Sequence, residues 1–200
     1  MKNRLIQALV IGVAAAGLLL GALPAQAASV NWVDPADDAQ LEVEPSEAAL
    51  DILKTEVSSD GKNLVWRSTI KKLAAGNPSL SLGYMFSLDF NLGETEKFTI
   101  RLTEDPLNKN VRFRTDNAGT TASFTCDKCK GAINREGSFV TVTAPIDQIA
   151  ALTKTSFPKS APFGPGTKLD KLVSSGWRSF AGSYLRADDS PAPEGTEFTI

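Results

Sequence analysis

The sequence contains no histidine and only two cysteines and two tyrosines in 200 residues. Without histidine there is no Ser-His or Cys-His nucleophile pair, and the usual imidazole-based zinc enzymes are excluded. Two cysteines cannot build a zinc ribbon, which needs a second Cys or His pair. Basic and acidic residues nearly balance, 21 against 23, so no positive excess points to nucleic acid or an anionic membrane surface. Carboxylate chemistry survives these exclusions, because glycoside hydrolysis needs only two Asp or Glu residues at a suitable separation.

Long apolar runs are also missing, with one exception at the N-terminus. Lys2 and Arg4 precede an apolar stretch over residues 9–23, and Ala25-Gln26-Ala27 follows. That order predicts a secretory signal over residues 1–27, cleaved after Ala27. An uncleaved membrane anchor competes with it, since residues 5–23 are nearly long enough to span a bilayer; Pro24 and the small-residue site favour cleavage. The expectation is a secreted or cell-envelope protein with no membrane attachment after cleavage. Removing 27 of the 200 residues leaves 173, enough for a single domain over 28–200 with a real core. The signal holds two basic residues and no acidic one, so the remainder carries a formal charge of −4.

What is present is β-patterned. In residues 64–70, Leu64, Trp66, Ser68 and Ile70 share one face while Val65, Arg67 and Thr69 share the other. An earlier β-prone run is joined to it through residues 58–63, where Asp60-Gly61 suits a tight turn, so residues 50–73 read as a hairpin. Tyr84, Phe86, Leu88 and Phe90 alternate with Met85, Ser87 and Asp89, which predicts one buried face. A loop over 91–95 leads to Phe98, Ile100 and Leu102, a second hairpin. Further short strands are expected at 111–114, 121–125 and 139–144, separated by turns at 105–110 and 116–119. Residues 146–152 suit a short helix, 157–166 an irregular crossing, and 169–173 either a helix or a strand. Residues 186–191 read as a second acidic loop. Strands at this spacing predict an all-β chain, an antiparallel β-sandwich of jelly-roll-like form with one or two short helices.

Cys126-Asp127-Lys128-Cys129 follows a β-prone run and precedes Gly131, unlike the helix start of a thioredoxin-like redox centre. In an exported chain the pair reads as a structural disulfide across a turn. Asp34, Asp37 and Asp38 place three hard oxygen donors close together, as calcium requires, without EF-hand spacing. A solvated turn with carboxylates capping backbone amides competes with that reading.

Several short stretches, taken together, carry a resemblance. They are Asp34-Pro35-Ala36-Asp37-Asp38, Leu50-Asp51-Ile52-Leu53, Ser59-Asp60-Gly61-Lys62-Asn63-Leu64, Gly166-Thr167-Lys168-Leu169 and Ala187-Asp188-Asp189. The chain resembles the β-sandwich modules of secreted bacterial proteins related to the family-nine carbohydrate-binding modules and the DOMON domains. The resemblance implies neighbouring first and last strands, a bound calcium and, in some members, a sugar held between aromatic rings. Carried over, it places Asp34, Asp37 and Asp38 near Asp51, Asp188 and Asp189. Trp32, Trp177, Phe180 and Tyr184 are the candidate sugar-binding aromatics, with Trp177 and Tyr184 taken as the ligand-binding pair and Trp66 assigned to the core. Haem, used by some DOMON relatives, lacks its side-chain ligands here, since there is no His and the only methionines are Met1 and Met85.

The function expected from these readings is an exported, non-catalytic binding or interaction module, stabilised by the disulfide and by calcium. Its partner is a glycan or a cell-surface protein. One alternative is a small exported carboxylate-dependent glycoside hydrolase, with Asp89 as the candidate acid; the other is a purely structural envelope protein.

Overall fold

The computed structural model of the chain describes residues 28–35, 50–71, 83–104, 109–158, 162–180 and 183–200, with the backbone alone at 109, 178–180 and 183–186. The expected signal segment, Asp37 and Asp38 lie outside the described residues. Two antiparallel sheets pack face to face as a β-sandwich. The smaller holds β1 (Ala28–Val33), β2 (Ile52–Ser59), β3 (Asn63–Ile70), β8 (Lys130–Asn134) and β9 (Phe139–Pro145), in the order β1-β2-β3-β9-β8. The larger holds β4 (Tyr84–Asn91), β5 (Glu96–Glu104), β6 (Lys109–Asn117), β7 (Thr120–Thr125), β10 (Lys168–Phe180) and β11 (Ser183–Pro191), in the order β11-β10-β4-β5-β6-β7, and β12 (Phe198–Thr199) pairs with β10. One helix, α1 (Ile146–Ser156), follows β9; no described helix is long and apolar enough to cross a membrane.

The alternation in residues 64–70 becomes β3, whose Leu64, Trp66, Ser68 and Ile70 are all buried. On its other face Arg67 lies over the ring of Phe139, 4.0 Å from the centroid, a cation–π contact between paired strands. The opposing sheet supplies a row of phenylalanines: Phe90 stacks on Phe98 at 5.3 Å and Phe98 meets Phe113 at 5.3 Å. Between the sheets runs a chain of buried hydroxyls. Trp66 Nε1 donates to Ser68 Oγ at 2.8 Å, and Ser68 Oγ also bonds Thr55 Oγ1 at 3.1 Å and Ser174 Oγ at 2.8 Å. Ser174 belongs to the larger sheet, so this chain ties the two layers together. Nearby, Gly176 sits at a close approach, where a Cβ would stand 3.3 Å from the Leu50 carbonyl oxygen, tighter than most such contacts.

The β2–β3 turn follows from its sequence. Gly61 takes φ 78°, open to glycine at little cost, and Asp60 accepts the backbone N–H groups of Lys62 and Asn63 at 2.9 and 2.7 Å. These bonds, those from Asn63 foremost, hold the Asp60 carboxyl below the ordinary aspartate value of 3.8. A lowered folded-state pKa means that the contribution of Asp60 to stability is fully present above the unfolded value. It is lost as pH falls through the folded one. Urea melts of wild type and Asp60→Asn are therefore expected to differ most above the ordinary aspartate value of 3.8 and to converge as pH falls through the lowered folded one. A constant difference across that range would mean that the Asp60 side chain acts without its charge.

Four elements depart from the expectations. β4 is buried on both faces, Met85, Ser87 and Asp89 included, where the alternation predicted a single buried face; it lies in the middle of the larger sheet between β10 and β5. β8 is a strand that sequence patterning does not reveal. The helix α1 extends to Ser156, past the expected end at 152. The stretch read as an acidic loop, 186–191, is part of β11: its backbone pairs with β10 through Val173↔Pro191 and Gly176↔Asp188.

Candidate functional site

Two regions concentrate the predicted site residues. The first is the entrance of β2. Asp34 follows β1 directly and its N–H donates to the Leu53 carbonyl at 3.1 Å. The N–H of Ile52, one residue earlier, donates at 2.7 Å to Oδ2 of Asp188 on β11, and the other oxygen of Asp188 accepts the N–H of Asp189 at 2.9 Å. Asp51 sits beside them with its Oδ2 3.9 Å from Lys71 Nζ, while its carbonyl takes the Lys71 N–H at 2.8 Å. Asp34, Asp51 and Asp188 are thus gathered from three stretches of chain and are all buried, Asp51 to 1% and Asp188 to 4% exposure.

Asp189 does not join them. Adjacent strand residues point to opposite faces, and Asp189 is paired with Ser175, outward, while Asp188 turns inward. Calcium takes six to eight oxygens. Both oxygens of Asp188 already accept backbone N–H groups, and among the described residues no three of the Asp, Glu, His and Cys side chains form a group that could hold a metal ion. The described carboxylates alone therefore do not make a calcium site.

The second region is the outward face of the larger sheet. Register places Trp177 opposite Met85, Ser175 opposite Ser87 and Val173 opposite Asp89. The rows continue onto β5 and β6 as Thr103 and Asn110, Arg101 and Arg112, and Thr99 and Arg114. Trp177 is half-buried just past a register shift between Gly176 and Trp177, a bulge that re-aims the strand. Ser175 is fully buried, and its Oγ has no hydrogen-bond partner among the described residues, leaving unused bonding capacity in this row. Asp89 forms an ion pair with Lys97 at 2.9 Å, so the candidate acid of the hydrolase reading is held by a cation on the next strand.

The other aromatic candidates fare differently. Trp32 is buried, and its Nε1 donates to the Ser190 carbonyl at 3.1 Å and to Ser190 Oγ at 3.0 Å, so it joins β1 to β11 and has no face left for a sugar. Trp66 is core, as expected. The side chains of Tyr184 and Phe180 lie outside the described residues. Cys126 and Cys129 form a disulfide, S–S 2.02 Å, closing the turn between β7 and β8.

Sequence reasoning also missed the column formed by Arg101, Arg112 and Arg114 on β5 and β6. The signal that marks them is polar alternation in β5 and β6 against Ile100, Leu102, Val111 and Phe113; seeing them as neighbours requires the strand register. Comparison with protein-family models, with curated proteins and with solved structures finds no match for this chain.

Proposed function

We propose that the chain is an exported, non-catalytic module that binds a glycan on the outward face of its larger sheet. The observation that carries this reading is Trp177. It is a half-buried indole on β10, in a row with Met85 and beside the hydroxyls of Ser175 and Ser87. Ser175 and Ser87 are themselves buried, so what the site offers a sugar is the exposed part of the indole as an apolar surface. Fold analogy cannot supply this function, since β-sandwiches host many unrelated ones. The missing nucleophile–base pairs and the expected signal segment point the same way. Calcium belongs to the proposal as a structural ion at the entrance of β2, completed by Asp37 and Asp38.

Equilibrium binding of the exported form to a panel of soluble polysaccharides tests the reading. Wild type is expected to bind at least one, and Trp177→Ala to weaken that binding tenfold or more, with its thermal melt unchanged. Binding by neither form would sink the glycan assignment. Release of reducing sugar from the same panel, lost in Asp89→Asn, would replace binding by hydrolysis as the function.

A further inference from the structure

We propose that the free edge of β7 is a docking site for an acidic, extended protein segment, which pairs with it as an added antiparallel strand. β7 is the last strand of the larger sheet, and no described strand pairs with its outer side. The direction of its backbone groups follows from two observations. Ala118 and Gly119 both take positive φ, 49° and 87°, in the two-residue turn that joins β6 to β7. Such a turn bonds its first carbonyl to its fourth N–H, so Thr120 faces Asn117. At the far end of the strand the Cys126 N–H donates to the Val111 carbonyl at 2.9 Å. Bonding direction alternates along an antiparallel strand, so Thr120, Ala122 and Phe124 turn their backbone groups to β6. Thr121, Ser123 and Thr125 turn theirs to the open edge.

Exposed edges are ordinarily blunted by charge, proline or a bulge. β11, at the other end of the same sheet, has all three: Asp188 and Asp189, Pro191, and a register shift against β10. β7 reads Thr-Thr-Ala-Ser-Phe-Thr, has none of them, and keeps an unbroken register with β6 from Thr120 to Thr125. Its three outward-bonding residues are all exposed. Recognition by strand addition draws its affinity from such a row of backbone groups. A polypeptide carries N–H and C=O groups at the matching repeat, and a saccharide does not. β4, β5 and β6 separate this edge from Trp177 on β10, so the proposal stands apart from the glycan reading.

Charge beside the edge selects the partner. Arg112 and Arg114 on β6 stand directly opposite Thr125 and Ser123 and share a face with them. Both are exposed, and neither forms an ion pair with a described residue. An added strand lies two strand spacings from β6, about 10 Å. An arginine and a glutamate can close that gap from opposite sides, because β7 carries only the small Ser123 and Thr125 between them. Acidic residues at those two positions then meet guanidinium forks, which hold carboxylates with two parallel hydrogen bonds. Opposite Thr121 the sign reverses, since Asp116 stands behind it and accepts its hydroxyl at 3.2 Å. On the other face the half-buried Ala122 and Phe124 suit apolar neighbours. The complementary strand therefore reads acidic, apolar, acidic, apolar, basic, running antiparallel to β7. A second copy of β7 fits worse, because it would bring another Arg112 and Arg114 toward these two, and like charges across a sheet repel.

The test is fluorescence anisotropy of the exported form with a labelled peptide, Thr-Glu-Val-Glu-Val-Lys-Thr, capped at both ends. The charge-reversed peptide, Thr-Lys-Val-Lys-Val-Glu-Thr, is expected to bind at least about tenfold more weakly in dilute salt. Arg112→Gln/Arg114→Gln should erase that preference. Backbone methylation separates strand addition from plain attraction of charges. N-methyl groups on the two glutamates block the bonds to Ser123 and Thr125 and should abolish binding. On the two valines, whose N–H groups point away from β7, they should leave most of it. Ser123→Pro removes an outward N–H without touching the ladder to β6, and should abolish binding too, with a circular dichroism melt to show that it folds. An equal effect of the two methylation patterns, or no preference between the two peptides, overturns the proposal. So does a stable dimer of the exported form that Ser123→Pro dissolves, which would give the edge to a second copy.

Discussion

Trp66→Ala is expected to lose about 3–5 kcal/mol of unfolding free energy, the range for truncating a buried aromatic where the cavity cannot collapse. The side chain is fully buried, between Val57 of β2 and Val142 of β9 in the register of the smaller sheet. Collapse is resisted because β2, β3 and β9 are held on both sides by ladder hydrogen bonds. The indole also holds a polar position: its N–H is one of three partners of Ser68 Oγ, the hydroxyl that reaches Ser174 in the other sheet. Trp66→Phe keeps most of the volume and loses that one bond, so its expected loss is smaller, about 1–2 kcal/mol. Urea unfolding followed by far-ultraviolet circular dichroism measures both. A loss under 1 kcal/mol for Trp66→Ala would mean that the phenylalanines of the larger sheet hold the core without it.

The contrast between Trp66 and Trp32 shows what local sequence carries. Trp66 sits in an unbroken alternation with Leu64 and Ile70, so its face is legible from period alone. Trp32 sits in a six-residue strand whose face it shares only with the smaller Ala28 and Val30, and it is tied down by Ser190 from 158 residues away. The same limit applies to residues 186–191. Three charges in six residues read as a solvated loop, and only the backbone of β10 and the Ile52 N–H make them a strand with an inward carboxylate. A common site for Asp34, Asp51 and Asp188 was expected only through a resemblance, and among the described residues no three carboxylates form a group that could hold a metal ion; the arginine column went unseen. Alternation marks Arg101 and Arg112 as outward, but a one-residue change in register would place Arg101 elsewhere.

Asp188→Ala is the second large effect expected, a loss of about 2–4 kcal/mol. Each hydrogen bond to an ionised carboxylate contributes about 1.5–3 kcal/mol, and a buried N–H left without a partner adds its own desolvation cost. Both oxygens are committed, to Ile52 N–H across the sandwich and to Asp189 N–H beside it. Asp188→Asn separates charge from geometry. Its amide keeps one acceptor and turns an NH2 toward the other donor, so it should recover less than half of the loss. Melts of all three proteins in millimolar calcium and then in chelator divide the two roles this carboxylate can have. A ligand that binds only the folded state raises stability by mass action. If Asp188 is a calcium ligand, wild type melts higher in calcium and the variants lose that shift. If it is solely the clamp between β11 and the entrance of β2, the variants are destabilised by the same amount in both solutions. A calcium shift retained in Asp188→Asn and lost in Asp37→Asn would place the ion on the loop after Asp34 and leave the clamp separate from it.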